Sequence, residues 1–164
     1  MTSYAPLARG RVLVSGYRVE EHLARGETLD VYSVRSEERE CMCVAKTVRA
    51  DRRDDTAARD RLLREGALLH RLDRPHLVRG YESRESPPVA VLETLANQTL
   101  SHLLSVRKQG LTVPDLLRLG LQLCSVVRYL HRSGILHLDL KPSNMVVDAG
   151  RLRVLDLSHA RPPG

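Results

Sequence analysis

The segment HLDLKPSNMVV, His137 to Val147, decides how this chain is read. Asp139, Lys141 and Asn144 stand at offsets of zero, two and five, a spacing that fits no single face of an amphipathic helix. The leucines between them do not alternate as a half-buried strand requires. The stretch reads as a polar loop set between two apolar elements, the kind of place where a rigid scaffold presents chemistry.

Working outward, the pattern predicts two short strands behind the loop, 144–148 and 151–157, joined by a hairpin turn at Ala149-Gly150. Ahead of it lies a helix over roughly 113–133. Thr112 and Asp115 make its capping pattern, Pro114 sits in the first turn, and Gly134 ends it. Its expected apolar stripe runs through Val113, Leu116, Leu117, Gly120, Cys124, Val127 and Leu130. TLSHLLSVRKQG reads as a shorter helix closed by Gly110. Further forward, Tyr17 to Arg49 gives three antiparallel strands, 56–72 a helix with Leu62, Leu69 and Leu72 inward, and 77–83 and 88–94 two more strands around Pro87-Pro88. Gly66 is expected to weaken the helix. The organisation is a lead-in over 1–16, a strand-rich part over 17–95 and a helix-led part over 96–164, with a hinge near 94–98.

Composition narrows the classes. With 42% hydrophobic and 28% charged residues, the 164-residue chain belongs with soluble globular proteins and can bury a core. The net charge of +6 rests on arginine, because Lys occurs only at 46, 108 and 141. Acidic residues are interspersed with the arginines, as in RADRRDDTAARDRLLRE, so no cationic stripe for nucleic acid is expected. No run approaches the ~20 apolar residues of a membrane span, and the N-terminus lacks the apolar core of a signal peptide. Cys41, Cys43 and Cys124 make no disulfide framework or metal-ligand spacing, so a reducing, cytoplasmic setting is expected.

His137-Leu138-Asp139-Leu140-Lys141-Pro142-Ser143-Asn144 resembles the catalytic loop of protein kinases, and Asp156-Leu157-Ser158 is similar to the metal-binding D-F-G of that family. Val44-Ala45-Lys46 resembles the strand-three lysine motif, with Glu65 in the following helix. The resemblance covers about Tyr17 to Arg161. It implies an α+β, two-lobed kinase-like fold: a five-stranded antiparallel N-lobe with one helix, then the helical start of a C-lobe. It also implies ATP and Mg2+ as cofactors and, from Lys141, a protein Ser or Thr hydroxyl as acceptor.

The roles implied suit the residue types. Phosphoryl transfer asks a protein mainly for positioning and positive charge. Asp139 would orient the hydroxyl and take its proton, and Lys141 would reach the transferred phosphate. Asn144 and Asp156 offer the hard oxygens magnesium prefers. Lys46, held by Glu65, would ground the inner phosphates. Leu92 is at the gate of the adenine pocket, Glu93 and Leu95 would offer backbone groups, and Val31, Ala45 and Val146 would pack on the ring. His137 is expected to be a core strut.

The sequence also departs from the family. LARGETLDVY keeps only Gly26 where three glycines stand, Leu138 replaces an arginine that docks a phosphorylated activation loop, and Ser158 replaces glycine. Only six residues follow Ser158, so the chain is expected to be the front, nucleotide-binding part of the domain. A nucleotide-dependent pseudokinase or scaffold module is the alternative.

Overall fold

The computed structural model describes residues 4–107 and 110–164. Lys108 and Gln109, near the end of the shorter predicted helix, lie outside the described residues, as does the start of the lead-in. The chain divides into two units: the first holds residues up to Arg71 plus Arg79–Thr94, the second Leu72–Val78 plus Leu95–Gly164.

The first unit is a six-stranded antiparallel sheet with one helix. Its strands are β1 (Val12–Val14), β2 (Tyr17–Arg25), β3 (Leu29–Ser36), β4 (Met42–Val48), β5 (Gly80–Glu85) and β6 (Pro88–Glu93), in the order β1-β2-β3-β4-β6-β5. Five strands were expected. The sixth comes from the lead-in, where Val12 and Val14 pair with Arg18 and Tyr17 around the tight turn at Gly16, whose φ of 82° suits glycine.

Register assigns each side chain to a face. Tyr32 lies opposite Ala45 and Ala45 opposite Val91; with Val19, Val34, Cys43 and Val89 they form one core cluster. Fully buried valines of this kind contribute roughly 1.5–3 kcal/mol each. On the other face Val31 lies opposite Lys46, Lys46 opposite Ala90, and Val44 opposite Leu92. Helix α1 (Thr56–Arg71) packs on this second face, with Leu62 against Val48 and Ala90. Asp55 caps it by accepting from the Ala58 N–H at 2.8 Å. Its buried residues, Ala58, Leu62, Glu65, Gly66 and Leu69, follow the helical period, so a carboxylate sits in the middle of an apolar face.

The second unit contains α2 (Leu100–Val106), α3 (Val113–Arg132) and the hairpin β7 (Met145–Asp148) and β8 (Arg151–Val154). The Thr112 hydroxyl accepts from the Asp115 N–H and donates to its carboxylate, and Gly134, at φ 68°, stops the helix. The predicted α3 stripe is corrected. Leu119, Val126 and Leu130 are buried, whereas Val113, Leu116, Leu117 and Cys124 are exposed. The helix carries apolar residues around more than half its circumference. The Gln122 amide ties the helix to the hairpin, donating to Gly150 O and accepting from the Leu152 N–H. Among the described residues no helix is long and apolar enough to cross a membrane.

Candidate active site

In the first unit, the Lys46 ammonium lies 2.7 Å from Glu65 Oε1. β4 carries Lys46 on the helix-bearing face, and the apolar packing of Leu62 and Gly66 brings the acid in beneath it. Glu65 is 1% exposed, and a buried carboxylate requires a counter-charge.

The expected adenine contacts in this unit do not share one face. Val31 and Leu92 lie on the face of Lys46. Ala45 does not: it is fully buried in the opposite core cluster with Tyr32 and Val91, because neighbouring residues of a strand point to opposite sides. Val44, two residues before Lys46, occupies the face assigned to Ala45. Glu93 uses its N–H on Arg79 O at 3.0 Å and its carboxylate on the Arg79 N–H, which removes its amide as a ligand contact. Gly26 lies in the β2–β3 hairpin turn: its N–H bonds Leu29 O at 2.8 Å, and Arg49 grips Gly26 O and Glu27 O. That amide is committed within the turn and is not presented to a phosphate.

In the second unit the loop of His137 to Asn144 runs into a single 3-10 turn, Pro142–Asn144, and then into β7. Asp139 Oδ2 is its focus. Lys141 Nζ lies 2.8 Å away and Asn144 Nδ2 2.9 Å away, and the same amide also donates to Asp139 O at 3.0 Å. The bond from Lys141 and, less strongly, that from Asn144 hold the Asp139 carboxyl below its usual range, against an upward pull from burial that ranks between the two. Oδ1 has no hydrogen-bond partner among the described residues. His137 is buried, its Nδ1 accepts from the Asp139 N–H at 3.3 Å, and burial lowers its pKa, so it supports the loop as a neutral strut. Leu138 sits at φ 63° and half exposed, a strained backbone for a leucine that bends the loop between strut and carboxylate.

Asn144 and Asp156 emerge at the same end of the hairpin, where the Leu155 N–H bonds Asn144 O at 2.9 Å and Met145 pairs with Val154. Asp156 Oδ1 accepts from the Ser158 N–H, so the serine that replaces glycine fits this turn without a positive φ. No group of three or more His, Cys, Asp or Glu able to hold a metal exists among the described residues. Two hard oxygen donors, with phosphate and water completing the shell, are the set magnesium accepts. Val146 is buried next to them and bridges Thr99, and Leu95 is half-buried just past β6.

The family described as "Protein kinase domain" matches residues 17–162. The chain belongs to the protein kinase domain family. Curated relatives of this kinase domain include a probable serine/threonine-protein kinase, SCO3848, of Streptomyces coelicolor, 30% identical over 94% of this chain and 24% of its own. Another is the probable serine/threonine-protein kinase YbdM of Bacillus subtilis, 27% identical over 95% of this chain and 62% of its own. A solved structure titled "PpkA-294 apo form" shares the fold with a TM-score of 0.79 at 18% identity, over 93% of this chain and 61% of that one. The kinase domain therefore spans about a quarter of SCO3848 and under two thirds of YbdM. The sheet-and-helix unit followed by helices and a hairpin is the kinase-like fold that the motifs imply.

Proposed function

We propose that this chain is the nucleotide-binding part of a serine/threonine protein kinase that transfers the γ-phosphate of Mg-ATP to a protein hydroxyl. The observation that carries the reading is the convergence of Lys141 and Asn144 on one oxygen of Asp139, with the other oxygen left without a partner. An acceptor hydroxyl can donate to Oδ1 while Oδ2 is held, which fixes its direction of attack, and the lowered pKa keeps the carboxylate ionised at neutral pH. Lys141 supplies a mobile point charge for the transferred phosphate, and its presence together with the serine/threonine kinases among the relatives supports a Ser or Thr acceptor. Lys46, fixed by Glu65, is assigned to the inner phosphates; Val31, Val44, Leu92, Val146 and the Leu95 backbone are assigned to adenine. Asn144 and Asp156 would hold magnesium, which neutralises charge on the phosphate oxygens when bound.

The test is thermal denaturation with millimolar ATP, with and without magnesium, followed by phosphate transfer to a Ser/Thr-containing protein acceptor. Magnesium-dependent stabilisation that Asp156→Asn removes is expected, since occupancy stabilises by mass action. Absence of any ATP-induced shift overturns the reading. One observation favours a second reading, a nucleotide-binding module without transfer: the amide of Gly26 is committed inside its hairpin. Magnesium-ATP stabilisation without phosphate in any acceptor selects that alternative.

A further inference from the structure

A cavity of about 470 Å³ lies in the first unit, on the sheet face turned away from Lys46. Asp30 and Thr47 are paired across β3 and β4 and, with Tyr32, form its floor. Leu7 and Leu13 of the lead-in make one wall, and Pro87-Pro88 between β5 and β6 makes another. A folded interior leaves few voids larger than a water molecule, whereas pockets for small molecules hold roughly 300–1,000 Å³.

Hydrogen bonds hold this space open. The Tyr32 hydroxyl accepts from the Leu7 N–H at 3.0 Å, and Arg25 donates to Tyr4 O at 3.0 Å, so the lead-in is tied down at two points. Thr47 Oγ1 donates to Pro88 O at 2.9 Å and fixes the proline turn. Ala50, in the 3-10 turn Ala50–Arg52, ends at its Cβ and leaves the volume between these walls unfilled.

The charged residues lining the cavity are Asp30, Arg53 and Arg59. The carboxylate of Asp30 is already matched by Arg25 and His22. Arg59 spends one N–H on Glu85 O at 3.2 Å, and the Arg53 guanidinium has no partner among the described residues. Both arginines are exposed, so they stand at the mouth, and neither is neutralised by an acid among the described residues. An apolar hollow with two uncompensated guanidiniums at its rim selects a ligand with an apolar body and an anionic head. The planar fork of arginine matches a carboxylate in particular.

We propose that this cavity binds a small amphiphilic carboxylate, its hydrocarbon body against Leu7, Leu13, Tyr32 and the two prolines and its head group on Arg53 and Arg59. The proposal stands apart from the kinase reading, since no residue assigned to ATP, magnesium or the acceptor hydroxyl lines the cavity.

NMR titration of the whole chain with decanoate, kept below its micelle concentration, is the test, with decanol and decylammonium as neutral and cationic counterparts. Decanoate should give saturable shifts of the Leu7, Leu13 and Val48 methyls. Decanol should bind about fivefold more weakly, the scale of a solvent-exposed ion pair, and decylammonium more weakly still. Arg53→Gln/Arg59→Gln should reduce the affinity for decanoate to that for decanol, and Ala50→Leu, which fills the space, should weaken binding of all three. Backbone amide spectra check that both variants remain folded. Equal affinity for decanoate and decanol in the wild type overturns the proposal. So does an affinity for decanoate untouched by the arginine substitutions, an absence of saturable shifts, or shifts confined to the exposed leucines of α3.

Discussion

Ala45 and Lys46 are neighbours in the chain and lie on opposite faces of one sheet, the alanine sealed in the Tyr32–Val91 cluster and the lysine against Glu65. Substitutions at the two faces should therefore separate stability from ligand binding. Ala45→Leu forces a larger side chain into a filled core and is expected to cost about 1–3 kcal/mol, with ATP affinity per folded molecule unchanged. Val44→Ala, on the Lys46 face, should lower stability by no more than ~1 kcal/mol, since the site is only partly buried, while weakening ATP binding several-fold. Urea denaturation and ATP titration of the two variants check this. A large loss of affinity in Ala45→Leu with normal stability would reverse the assignment of faces.

The Lys46–Glu65 pair should behave as a buried ion pair and not as a surface one. Removing the ammonium in Lys46→Met takes from the buried Glu65 carboxylate the counter-charge 2.7 Å away, and a loss of roughly 3 kcal/mol is expected. The double variant Lys46→Met/Glu65→Leu should recover most of that loss, because two apolar groups need no desolvated charge. Urea midpoints of the single and double variants measure the coupling. Purely additive effects would mean that the pair is solvated.

Much of this was readable beforehand because the informative residues sit in elements whose period is unambiguous. The hairpin at Ala149-Gly150, the cap at Thr112 and the stop at Gly134 are local chemistry, and the structure has them where the sequence puts them. The errors share a cause: they concern faces and neighbours, which depend on partners distant in sequence. Ala45 is the exception, since alternation from Lys46 already required Val44 on the shared side. The face of α3 could not be read, because apolar residues lie on several sides and the one that packs depends on the distant hairpin, which Gln122 contacts. The strand at Val12–Val14 is three residues long and gains its order from pairing with β2, not from any pattern of its own.

Acid sensitivity of the first unit should be concentrated at Asp30. This residue is 3% exposed, gripped by Arg25 through both carboxylate oxygens at 2.8 and 2.9 Å and by His22 at 3.0 Å. Burial pulls its pKa up, but the Arg25 and His22 bonds outweigh it and the net shift is downward. With the folded value below the unfolded one, the stabilisation is complete above the ordinary aspartate value of ~3.9 and disappears as pH falls through the folded value. Asp30→Asn is expected to lose about 2 kcal/mol at neutral pH and to show a flatter stability profile below about pH 4. Denaturant midpoints at pH 6 and pH 3 for both proteins decide it; parallel declines would place the acid-sensitive group elsewhere.

Gly66 gives the sharpest conflict between propensity and packing. By propensity, alanine should improve the interior of α1 by up to ~1 kcal/mol. In the folded chain, however, a Cβ at 66 would meet Ser83 Oγ at 2.7 Å, Ser83 Cβ at 3.0 Å and the Ala90 methyl at 3.1 Å. The hydroxyl of Ser83 can rotate away, but its Cβ and Ala90 belong to paired strands β5 and β6 and cannot retreat without disturbing the ladder. Helix α1 must then lift from the sheet at the residue next to Glu65, so the carboxylate moves from Lys46. Gly66→Ala is expected to destabilise by about 1–2 kcal/mol in spite of propensity and to weaken ATP binding together with it, whereas Ser83→Gly in the same background should restore part of both by removing the nearest obstruction. Denaturation and ATP titration of the single and double variants supply the measurement. A Gly66→Ala protein more stable than the wild type would show that the helix rides further from the sheet than these distances allow, and would remove the account of why glycine stands beside the buried acid.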